Sequence, residues 1–89
     1  MTQTPPPPAA PAGSYQAIKA QALKDPNVAG LLQKMQTAPE GDAQKTAARA
    51  YISALFAKMR QIDPAQTEAR NRKEGAYNRR IEAGKPILE

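Results

Sequence analysis

Residues 42–62 read DAQKTAARAYISALFAKMRQI, and the spacing of their apolar members decides the fold class. At the ~100° that each residue turns in an α-helix, Ala48, Tyr51, Ile52, Leu55, Phe56, Met59 and Ile62 fall within an arc of about 140°. The far side carries Thr46, Arg49, Ser53, Ala57 and Arg60. A stripe this regular predicts a helix that lays one face on a core, from about Asp42 to about Ile62.

Upstream, Thr37-Ala38-Pro39-Glu40-Gly41 is a loop by composition. Before it, Asp25-Pro26 joins an N-cap residue to one favoured at the first helical position. The helix it opens has Val28, Leu31, Leu32 and Met35 at i, i+3, i+4 and i+7. Gly30 either weakens this helix, by up to ~1 kcal/mol relative to Ala, or permits a close approach. Ser14 is a good N-cap for a first helix ending near Lys24, with Tyr15, Ile18 and Ala22 on one narrow face.

Downstream, Asp63-Pro64 repeats the start signal and opens a fourth helix running to about Ala83. So tight a junction predicts a sharp angle between the two helices rather than a long antiparallel loop. Gly84 suits the position after the helix, Arg79 and Arg80 suit its last turn, and Pro86 blocks continuation. Two apolar strips compete on this helix. Ala65, Ala69, Ala76 and Ala83 form one, and Tyr77 with Ile81 forms another about 120° away. Lys73 and Arg80 lie between them, on the face that ought to be buried. Their methylene stems can pack while their charges reach water; the rival reading is a face awaiting a partner.

Residues 50–55, Ile62-Asp63-Pro64 and Gly75-Ala76-Tyr77 resemble one junction of a tetratricopeptide repeat. A solenoid needs about three such repeats, so the match is taken as convergent helix-junction chemistry and no family is assigned.

The expected fold is all-α, a small bundle of three to four helices behind a disordered proline-rich N-terminal leader. Residues 1–13 form the leader, 14–84 the helical domain and 85–89 a C-terminal tail. The leader includes TPPPPAAP, which favours extended polyproline II and reads as a spacer. A proline-rich start before a compact domain is also the form left when an export signal is removed. A periplasmic or secreted location is therefore the expectation, and the cytoplasm the alternative.

The 89 residues contain no Cys and no His. Disulfides, thiolate nucleophiles, the usual zinc ligands and the commonest general base are thereby excluded. Ser14 and Ser53 have no histidine to activate them, and no glycine-rich phosphate loop or metal-ligand spacing is present. No catalytic residue, cofactor or metal site is expected, and the chain is read as a non-enzyme. No apolar run approaches the ~18 residues that cross a bilayer.

The net charge is +5, and it is lopsided. Bases and acids cancel in residues 1–42, whereas residues 43–89 carry ten bases against five acids. Five of the bases fall in the fourth helix between residues 70 and 80. The candidate interaction surface is therefore Arg70, Arg72, Lys73, Tyr77, Arg79 and Arg80. The first expectation is a protein-interaction or structural module with a protein partner. The second is a nucleic-acid-binding accessory protein that uses the same helix, with Asn71 and Asn78 near base edges and Tyr77 stacking on a base.

Overall fold

A computed structural model of the chain describes residues 14–85, and within them it is an all-helical bundle. The four α-helices are α1 (Tyr15–Ala22), α2 (Pro26–Thr37), α3 (Asp42–Ile62) and α4 (Thr67–Glu82). A short 3-10 turn, Pro64–Gln66, precedes α4. The proline-rich leader, most of the expected tail and the stop signal at Pro86 lie outside the described residues.

Local chemistry explains each boundary. The Ser14 hydroxyl accepts from the Ala17 amide at 3.2 Å and so caps α1. The Asp25 carboxylate accepts from the Asn27 and Val28 amides at 2.8 and 3.3 Å, with Pro26 opening the helix as expected. Ala38 is extended, as a residue before proline must be, and this ends α2. Gly41 then has φ +103°, where side chains are disfavoured, and leads into α3. At the far end Gly84 has φ +73°, and the Lys85 and Gly84 amides donate to the Arg80 and Ile81 carbonyls. That is a Schellman cap, at the glycine the sequence marked.

The core lies on α3. Ala48, Tyr51, Ile52, Leu55, Phe56 and Met59 are buried, and Ile62 packs half-buried at the edge. α1, α2 and α4 all pack on this helix. Asp25 pairs with Lys58 at 3.3 Å near one end of α3, while Met35 meets Ala48 around a cleft near the other, so α2 runs antiparallel to it. α2 covers its own stripe incompletely: Val28 is buried, and Leu31, Leu32 and Met35 are half-buried. Gly30 faces open space, so no close approach accounts for it.

The α3–α4 junction departs from expectation in two ways. Asp63 makes no side-chain cap on the following helix. The chain instead winds through the 3-10 turn, held by the Thr67 hydroxyl donating to the Pro64 carbonyl at 2.7 Å. The reversal is also fuller than a sharp corner. Arg49 reaches Glu82, and Arg60 reaches Glu74, so α4 lies antiparallel along α3.

Leu55 has no exposed surface. Leu55→Ala should therefore cost roughly 2–5 kcal/mol in urea unfolding, whereas exposed Ser53→Ala should stay within about 0.5 kcal/mol. Asp25 carries a second expectation. Its hydrogen bonds from the Asn27 and Val28 amides, and then Lys58, hold its pKa below the usual 3.8. A carboxylate with a depressed folded pKa contributes stability above its unfolded pKa and loses it as pH falls through the folded value. Asp25→Ala should thus lower the urea midpoint at neutral pH, and its gap from wild type should close as the pH drops below 3.8. A gap constant with pH would show that the charge contributes nothing.

Candidate functional site

The rotation of α4 about its axis determines which groups reach solvent. Tyr77 and Ile81, one turn apart, are both buried. Phe56 of α3 stands between Tyr15 and Tyr77, at centroid distances of 6.2 and 5.9 Å, and the two phenol oxygens lie 3.4 Å apart. These separations suit tilted aromatic packing. Three helices therefore share one aromatic cluster.

Arg70 precedes Tyr77 by seven residues and so shares its inward face. It is 5% exposed, its Nη2 lies 3.6 Å from Asp63 Oδ2, and its guanidinium stands 5.6 Å from the Tyr15 ring centroid. Asp63 Oδ2 is buried without a hydrogen bond, so the guanidinium charge is its compensation. This is also why Asp63 does not cap α4: its carboxylate turns to Arg70. Lys73 closes the cluster from outside, with Nζ 4.5 Å from the Tyr15 centroid and 5.9 Å from that of Tyr77.

The seam between α3 and α4 collects acids. Glu82 accepts from Arg49, and its backbone carbonyl accepts from Lys45 at 3.5 Å. The Arg49 hydrogen bond and charge hold the Glu82 carboxyl below its ordinary pKa. Arg60 donates to Glu74 at 2.7 Å and to Asn71 at 3.1 Å. Of the three acids on α4, Glu68 is the one on its exposed outward side.

The six candidate residues consequently separate. Arg72, Lys73 and Arg79 are exposed and Arg80 is half-buried, but Arg70 and Tyr77 are buried. Arg70 is committed to Asp63 and Tyr15, and Tyr77 presents no ring on which a base could stack. The alanine strip also turns the other way from the core: Ala65, Ala76 and Ala83 are exposed and Ala69 is half-buried. Burying a Tyr–Ile strip removes far more apolar surface from water than burying alanines, so the larger strip wins. One sequence signal does mark the buried pair, because Asp63, Arg70 and Tyr77 recur every seven residues.

Elsewhere, a cleft of about 720 Å³ opens between the end of α2, the start of α3 and the end of α4. Met35, Ala48 and Ile81 line it together with Glu40, Lys45 and Lys85. Among the described residues, no group of three or more His, Cys, Asp or Glu side chains is placed to hold a metal ion. No described helix is long and apolar enough to cross a membrane. No protein-family model, curated protein or solved structure matches the chain.

Removing one partner of a buried ion pair strands the other. Asp63→Ala should cost about 3 kcal/mol in urea unfolding, and Asp63→Ala with Arg70→Met should recover most of it, because the apolar pair needs no compensation. Equal losses in both variants would show that the stranded Arg70 charge is not what costs stability.

Proposed function

We propose that this chain is a small helical protein-interaction module, and that an acidic protein surface docks on the outward face of α4. The observation that carries this reading is the sorting of charge around that helix. Glu74 and Glu82 turn toward arginines of α3, while Arg72, Lys73 and Arg79 stand exposed. Each acid at the seam forms a locally neutral pair, so the outward face keeps its positive charge with Glu68 as its one α4 acid. Such a face raises the local concentration of an anionic partner and speeds its encounter.

A protein partner is favoured over nucleic acid by what stands between the bases. The amide side chains suited to reading adenine edges are absent from that face. Asn71 accepts from Arg60 at the seam, and Asn78 falls on the same flank. Between the exposed bases there are alanine methyls, which offer little to a base edge beyond a thymine methyl.

The test compares wild type with Arg72→Glu/Arg79→Glu, after circular dichroism has shown equal helicity and melting. Proteins retained from native extract by wild type should be lost with the double variant. Single- and double-stranded DNA and RNA, titrated by fluorescence anisotropy at ~0.15 M salt, should bind no tighter than roughly 10⁻⁶ M. Sub-micromolar nucleic-acid binding that the double variant abolishes would overturn the protein-partner reading.

A further inference from the structure

We infer that the element docking on α4 is itself an α-helix, acidic along two edges and lying lengthwise on the exposed face. This rests on the protein-partner reading above and adds the partner's shape. Arg72 and Arg79 are seven residues apart, which is about 10.5 Å along a helix axis. Lys73 and Arg80 repeat that interval in a second row about 100° further round. Arg80 is half-buried, so Arg72, Arg79 and Lys73 carry the argument.

Two helices that pack lengthwise supercoil so that equivalent faces meet every 3.5 residues, and charges flanking their seam pair at heptad intervals. Glutamates spaced by seven on a partner helix would meet Arg72 and Arg79 with the same period. Between the rows, exposed Ala76 and Ala83 follow the same interval. Their small side chains let a second backbone come toward the ~8 Å end of the usual interaxial range, within reach of arginine on one side and lysine on the other. A second copy of this face is excluded as the partner because it carries the same charge.

The test uses the whole chain and four probes at ~0.15 M salt. The first is a three-heptad peptide with alanine along its seam and glutamate on both edges. The second has the same composition in scrambled order. The third is poly-glutamate and the fourth is single-stranded DNA. The patterned helix should bind about tenfold more tightly than its scrambled form, and Arg72→Glu/Arg79→Glu should abolish that binding. Ala76→Gln, which enlarges an exposed seam residue without changing charge, should weaken the patterned peptide about fivefold and leave poly-glutamate unchanged. Equal binding of patterned and scrambled peptides, or an unmoved patterned peptide in Ala76→Gln, would overturn the helical shape while leaving an acidic protein partner standing. Failure of every acidic peptide with tight DNA binding would overturn both readings.

Discussion

The rest of the fold depends on the packing of Phe56 between Tyr15 and Tyr77. It is the sole phenylalanine in a chain with three tyrosines and no tryptophan. Apart from these rings and Tyr51, the core is made of aliphatic side chains and alanine and has few large surfaces to bury, so the aromatic ones decide how the helices meet. Phe56 projects from α3, Tyr15 from the start of α1 and Tyr77 from the middle of α4. Bringing the three rings together docks the short first helix and fixes the rotation of the last.

That rotation has an electrostatic result. With Tyr77 and Ile81 turned inward, Glu74 and Glu82 come to the α3 seam, where Arg60 and Arg49 project. The same turn carries Arg72 and Arg79 to the opposite side, and it carries Arg70 inside. A guanidinium suits that interior position better than an ammonium would, because its planar, weakly hydrated head can lie against an aromatic ring and beside a carboxylate at once. Lys73, one turn on, keeps its ammonium at the solvent edge of the same ring.

The first three helices are legible in the sequence because their signals agree. Ser14 and Asp25 are capping residues that do cap, and the stripe from Ala48 to Met59 is the buried face of α3. The last helix is legible in extent at its C-terminal end and ambiguous in orientation. Its alanine and Tyr–Ile strips point about 120° apart, and periodicity weighs positions without weighing the area that each side chain hides. Burial of Arg70 and Tyr77 follows from the choice between those strips, so both belong to the core face and not to the outward surface. Asp63 is ambiguous for a related reason. An aspartate before proline reads as a cap, but its carboxylate goes to a base seven residues on, a contact that exists only once α4 has folded back.

The arrangement of α3 between α2 and α4 also bears on how the chain reaches its native state. Both flanking helices are neighbours of α3 in the sequence, and each runs antiparallel to it across a short connection. Little loop-closure entropy is lost in forming either pair, and helical topologies of such low contact order fold in microseconds to milliseconds. A chain of this kind can assemble either hairpin first and add the remaining helices to a surface already formed. Local encounters along one long helix then form both hairpins, and the distant partners left to meet are Tyr15 and Tyr77, 62 residues apart in sequence.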